Sequence, residues 1–195
     1  MLRSPSGLRN PQTMQSSQLF SAPDITDPAY HWGPLSSHSE QPDPIVRHWL
    51  QDEGSLTKQL LALSDNDFRV ELVKEEWLTL DALALTKHFG PVAANHRFWS
   101  RKVELWGKGQ PWVAAHTLIP EHSFSSPLQQ VMELQTKPLG EYLFSHKDLL
   151  RGEMEFTVDS SAGWGRRSVF FLFSKPIMVA EFFLPALIVE LAATA

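Results

Sequence analysis

The chain has 195 residues and 22.1 kDa, with 43% hydrophobic and 20% charged residues, a formal net charge of −5 and a pI near 5.9. A single domain of that size buries about 70% of the surface its unfolded chain exposes, enough for a core without staples. The absence of cysteine excludes disulfides, thiolate metal sites and cysteine nucleophiles. The acidic balance argues against a broad nucleic-acid surface. No apolar stretch reaches the ~18–20 residues of a membrane-spanning helix. These features lead us to expect a soluble domain of a reducing compartment.

Residues 1–45 hold seven of the fourteen prolines, many serines and few aliphatics. Such a stretch buries too little apolar surface to offset its ordering entropy, so it reads as a flexible tail that could be removed without harm. Arg3 and Arg9, ahead of any acidic residue, give it a faint transit-peptide character. No apolar h-region follows, and a plain tail or a start at Met14 is the better reading. Residues 46–195 are expected to form the domain. Val46 to Leu63 carries helical periodicity broken at Asp52-Glu53-Gly54-Ser55, which predicts two helices with Ser55 as N-cap of the second. Phe68–Leu78 reads as a strand and Leu80–Phe89 as a short helix or buried loop. Arg97–Trp106 and Pro111–Ile119 read as a hairpin through Gly107-Lys108-Gly109-Gln110.

A helical piece is expected around Leu128–Leu134, then a turn at Lys137-Pro138-Leu139-Gly140. Glu153–Val158, Ser168–Ser174 and Ile177–Leu184 read as strands, the last two apolar on both faces and joined through Lys175-Pro176, too short for a crossover helix. Consecutive hairpins with segregated helices predict an α+β fold with one antiparallel sheet.

Charges on apolar faces mark candidate function. Trp99, Arg101, Val103 and Leu105 share one strand face, which puts Arg101 inward, and Glu181 lies within Ile177–Leu184. An unpaired buried charge costs several kcal/mol, so each needs a partner or a ligand. Two arrangements fit: an internal Arg101–Glu181 ion pair, or opposite ends of a pocket for a small molecule with a carboxylate at one end and a hydroxyl at the other. Gly163-Trp164-Gly165-Arg166-Arg167-Ser168 is no phosphate loop, because a strand rather than a helix follows it. It reads as a turn with solvated arginines, or else as arginines at a pocket mouth. His116 and His122 have no third ligand at useful spacing, so no metal is expected. The tryptophans read as packing rather than a base-stacking platform, and no nucleophile-elbow context supports Ser/His/Asp catalysis.

The blocks Gly54-Ser55-Leu56-Thr57, Arg97-Phe98-Trp99-Ser100-Arg101, Gly109-Gln110-Pro111-Trp112, Lys137-Pro138-Leu139-Gly140-Glu141-Tyr142-Leu143-Phe144, Gly163–Ser168, and Lys175-Pro176 with Glu181-Phe182-Phe183-Leu184-Pro185 occur in this order between about Val46 and Pro185. Together they resemble the chorismate pyruvate-lyase family. The resemblance implies an antiparallel sheet of about six strands with helices packed beside it and an internal ligand pocket. It implies a cytoplasmic enzyme, expected to be a monomer, that uses no metal or organic cofactor. That enzyme removes pyruvate from chorismate to leave 4-hydroxybenzoate, the ring precursor of ubiquinone.

In the family an arginine grips the product carboxylate, a glutamate meets its hydroxyl and two positions in covering segments enclose it. Those positions match Arg101, Glu181, Leu56 and Leu139. Some members carry methionine at the position of Leu56 and arginine at that of His116. If that arginine holds the second carboxylate of chorismate, Arg166, Arg167 or a protonated His116 are the candidates for its role here. The same fold also serves as the effector domain of some transcription regulators, so a non-catalytic 4-hydroxybenzoate-like sensor is the alternative. Residues 1–45 are too short and proline-rich for a winged helix, which favours the enzyme.

Overall fold

The computed structural model describes residues 23–81, 85–124 and 126–194. Two helices, α1 (Pro44–Gln51) and α2 (Leu56–Leu63), separate at the predicted break. Pro44 opens α1 behind Asp43, whose side chain accepts from the Ile45 N–H; at this position proline's missing N–H removes no helical bond. Ser55 caps α2 by accepting from the Lys58 N–H. Then come β1 (Phe68–Leu80), the short α3 (Thr86–Phe89), β2 (His96–Gly107) and β3 (Gln110–Pro120). Within the 80–89 reading, residues 82–84 lie outside the described ones. The β2–β3 turn places Lys108 and Gly109 at φ 48° and 73°, the paired left-handed geometry of a two-residue hairpin loop.

Helix α4 (Ser126–Gln129) continues into a 3-10 turn over Gln130–Glu133. The turn expected at Lys137–Gly140 is instead the entry to α5 (Leu139–Phe144), with Pro138 as the last extended residue before it. The chain ends with β4 (Leu150–Arg151), β5 (Glu155–Asp159), β6 (Gly163–Leu172), β7 (Lys175–Phe183) and α6 (Pro185–Thr194). The strands form one seven-stranded antiparallel sheet in the order β1-β2-β3-β7-β6-β4, with β5 also paired to β6. The α+β expectation holds. The strand beyond six arises because the outer edge beside β6 is broken into β4 and β5.

Two local readings are corrected. Gly163–Ser168 is strand, not turn: a Cβ on Gly165 would sit 2.7 Å from the Phe182 ring, so glycine is needed there for close approach across the sheet. Its arginines are buried rather than solvated. The β6–β7 turn falls at Phe173-Ser174, with φ 52° and 62°, leaving Lys175 and Pro176 inside β7. Pro176 precedes Met178, where pairing with β3 begins, and a missing N–H is tolerated at such a strand start.

The sheet is covered on both faces. On one, α1, α2 and α6 bury Leu50, Leu60 and Leu187 against Val103, Val113 and Phe183. Farther along the same face, Leu128, Val131 and Leu143 pack on Trp99, Ile119 and Ile177. The opposite face is covered by the segment from residue 23 and by α3, which set Ile25, Leu85 and Phe89 on Phe98, Leu118 and Phe182. The tail expected up to residue 45 is therefore corrected for residues 23–45. Ile25 is 2% exposed, Gly33 and Phe156 exchange backbone hydrogen bonds of 3.0 and 2.7 Å, and Tyr30 and Trp32 pack on Phe182. Composition underrated this segment because its few apolar residues are spaced to meet a strand face that α3 alone among the helices covers in part.

Deleting residues 1–40 should therefore lower stability. Each large apolar side chain removed or uncovered forfeits about 1.5–3 kcal/mol of burial, and at least Ile25 and Leu35 are buried. Thermal melts of the truncated and full chains test this. A melting temperature unchanged within about 2 °C, well under the shift one such side chain should give, would restore the tail reading.

Candidate functional site

A gap separates the two clusters on the helix-covered face. Arg101, Thr117 and Val179 form one cross-strand row across it, and Val103, Ala115, Glu181 and Arg166 form the next. Because helices pack only at either end, these rows line a pocket of about 580 Å³ of space between atoms, its mouth included. Leu56 and Leu139, the first residues of α2 and α5, both line it.

Arg101 is 2% exposed. Its Nε donates to Glu75 Oε1 at 3.1 Å and its Nη2 to the carbonyls of Gln135 and Lys137 at 2.5 and 3.3 Å. Burial pulls its pKa down and Glu75 opposes that, so the guanidinium keeps its charge. Nη1 donates to no group among the described residues. The fork is therefore locked from one side, with an edge left for a ligand. Glu181 accepts from Arg166 Nε through Oε2 at 2.8 Å and is 18% exposed in its side chain. Its Oε1 has no partner among the described residues. Arg166 Nη1 donates to the carbonyls of Trp49, Leu50 and Asp52 at 3.0, 3.2 and 2.7 Å. It thereby satisfies the C-terminal carbonyls of α1.

The direct Arg101–Glu181 ion pair is not formed. Each charge has its own counter-ion, and both face one pocket from strands two apart, about 10 Å across the sheet. Of the two arrangements left open by the sequence, the internal ion pair is the one the structure lacks.

The candidates for a second anion contact divide. Arg166 lines the pocket, but His116 and Arg167 are corrected: they point to the opposite face, because strand neighbours alternate and Ala115, Thr117 and Arg166 already face inward. Arg167 is bound to Glu155 at 2.7 Å and stacks over Trp32 at 4.4 Å. His116, 1% exposed, accepts at Nδ1 from the Ile25 N–H at 3.2 Å, so Nε2 carries the proton and donates to Ser100 Oγ at 2.8 Å. His122, the other half of the metal-like pair, meets His96 instead at 3.1 Å. Among the described residues no group of three or more candidate ligands surrounds a metal position.

Burial, then the charge of Lys102, push the His116 pKa down to about 4 from the usual 6.5, against the pull of Asp24. The folded state holds this ring neutral. Its contribution to stability is complete above pH 6.5 and is lost progressively as pH falls through 4, by about 1.4 kcal/mol per pH unit between those values. Melting temperatures measured from pH 7 to pH 4 should fall, and His116→Gln should flatten that slope; an equal slope in both proteins would count against it.

Two charges escaped the sequence reading, one behind the pocket and one in its lining. Glu75 sits in Lys74-Glu75-Glu76, which reads as a solvated run. A β-bulge between Leu72 and Lys74 shifts the register, so that Val70 and Glu75 pair with Leu105 and Arg101 on one face; strict alternation would have put them on opposite faces. Arg151, in a two-residue strand, offers no periodicity at all, yet it lines the pocket.

Comparison with known proteins follows this geometry. Residues 31–192 match the family model described as chorismate lyase. The chain is 36% identical over 143 residues to the chorismate pyruvate-lyase of an Enterobacter species, covering 73% of this chain and 84% of that one. Against the chorismate pyruvate-lyase of Salmonella gallinarum it is 34% identical over 144 residues, 74% and 85% of the two chains. Among solved structures, PhnF from Mycobacterium smegmatis superposes with a TM-score of 0.51 at 13% identity, over 70% of this chain and 66% of that one. That likeness is one of fold alone.

Proposed function

Because the chain belongs to the chorismate lyase family, we propose that it converts chorismate to 4-hydroxybenzoate and pyruvate. The observation that carries this reading is the convergence of Arg101 and Glu181, from different strands, on one pocket capped by Leu56 and Leu139. An apolar slot with a fixed cation at one side and a carboxylate oxygen free at the other suits a flat ring bearing a carboxylate and a hydroxyl.

In the proposed mechanism Arg101 holds the ring carboxylate with its unspent Nη1 edge, a charge-assisted contact fixed by Glu75 and two carbonyls behind it. Glu181 accepts from the ring hydroxyl through Oε1 and raises electron density at the carbon that bears it. The ether C–O bond to the ring breaks, the hydrogen on the hydroxyl-bearing carbon passes to the enolpyruvyl methylene, and the ring becomes aromatic as pyruvate leaves. Atoms and charge balance without a co-reactant, so the protein has to position and polarise rather than supply reagents. We favour direct transfer of that hydrogen because the described pocket lining holds no second acid beside Glu181.

Incubating the purified protein with chorismate and assaying pyruvate and 4-hydroxybenzoate together tests the proposal. Equal release of both is expected. Binding of 4-hydroxybenzoate with no pyruvate release would make the chain a binding domain instead. We further propose a cytoplasmic monomer feeding ubiquinone ring synthesis. Among the described residues no helix is long and apolar enough to cross a membrane.

A further inference from the structure

The pocket holds three arginines against one lining glutamate. It is lined by Arg101, Arg151, Arg166 and Glu181. Arg101 is neutralised by Glu75 and Arg166 by Glu181. Arg166 is further engaged with three carbonyls at the end of α1. Arg151 differs, with no carboxylate oxygen within 4.0 Å among the described residues. Its Nε donates to Ser168 Oγ at 3.0 Å, its Nη1 makes a long 3.4 Å contact with the Asp52 carbonyl, and its guanidinium lies over the Phe170 ring at 5.0 Å. Nη2 donates to nothing among the described residues. The group is thus held in place by neutral contacts without a direct ion pair, its charge offset only at longer range by Glu181, Glu53 and Asp52.

We propose that Arg151 is the anion subsite for the second carboxylate of the substrate, the one on the enolpyruvyl group. This rests on the chorismate reading above. Position supports it as well as charge. Arg101 stands on β2, whereas Arg151 stands on β4 at the other side of the pocket, beyond β3, β7 and β6. Glu181 lies between them, next to Arg166 in the cross-strand pairing. In chorismate the enolpyruvyl ether is attached beside the hydroxyl-bearing carbon. A ring with its carboxylate on Arg101 and its hydroxyl on Glu181 therefore directs the second carboxylate away from β2, toward β4. Two cations at opposite sides also set the register of the ring in the slot, which neither does alone. Burial and the nearby Arg166 lower the Arg151 pKa, opposed by Glu181, Glu53 and Asp52; an incoming carboxylate would offset the repulsion from Arg166 at contact distance.

The product lacks the second carboxylate, and this separates a substrate contact from a structural role. Arg151→Gln is expected to lower kcat/KM for chorismate by about thirtyfold or more, while the Kd for 4-hydroxybenzoate stays within about twofold of wild type. Arg151→Lys keeps the charge without the fork and should lose about tenfold, again with product affinity unchanged; it decides the question if the glutamine variant proves too unstable to titrate. Parallel loss of product affinity would show that Arg151 only shapes the pocket and would overturn the inference. So would a variant that turns over chorismate within about threefold of wild type, a loss too small for a removed charge pair, and that result would leave the proposed function standing. A wild-type protein that releases no pyruvate would sink the function reading and this inference with it.

Discussion

Arg101→Ala is expected to weaken 4-hydroxybenzoate binding by about 2–5 kcal/mol, the usual consequence of truncating one partner of a buried charge pair. Arg101→Lys should lose less, since it keeps a point charge but not the planar donor edge. The alanine variant should also melt lower. It strands the Glu75 carboxylate and removes the donor to the Gln135 and Lys137 carbonyls, and each unsatisfied buried group costs about 1–3 kcal/mol. Glu75→Gln separates the two effects: it removes the ion pair behind Arg101 but retains an acceptor, so it should lower the melting temperature with product affinity changed only a few-fold, on the order of 1 kcal/mol. If Arg101→Ala melts lower yet binds 4-hydroxybenzoate like the wild type, Arg101 is a structural ion-pair partner and the carboxylate-grip role is lost.

Glu181→Gln should reduce the single-turnover rate with chorismate by about a hundredfold while changing product affinity little. The amide fills the same volume and still accepts from a ring hydroxyl. It lacks the negative charge that favours loss of hydrogen from the neighbouring carbon, and an interaction stronger in the transition state than in the ground state appears in kcat rather than KM. Glu181→Ala should hurt both, with affinity falling by roughly 1–3 kcal/mol because the hydroxyl is left unsatisfied. Either change strips Arg166 of its counter-ion, so a lower melting temperature is expected in both. The carbonyls at the end of α1 continue to hold the guanidinium. A glutamine variant as fast as wild type in a single turnover would leave Glu181 a binding contact only.

Much of this molecule was legible in one dimension. The break at Asp52–Ser55, the β2–β3 hairpin and the inward-facing Arg101 follow from period and turn chemistry, which are local properties of the chain. Arg101 and Glu181 stood out because each is a charge in an apolar strand, and burying a charge is costly enough to leave a trace in any sequence that does it. What that trace could not tell was the partner. Whether two buried charges face each other or a common ligand depends on which strands become neighbours, and that is set by long-range pairing. The same limit hid Glu75, which a one-residue bulge moves to the pocket face. It also misplaced His116 and Arg167: alternation divides neighbours between faces but does not say which face holds the pocket when both are buried. Residues 23–45 read as tail because their composition is polar and proline-rich. The tertiary structure places them over the sheet because all the helices but the short α3 cover the other side. A face left open by the rest of the fold is a demand that only the assembled structure creates.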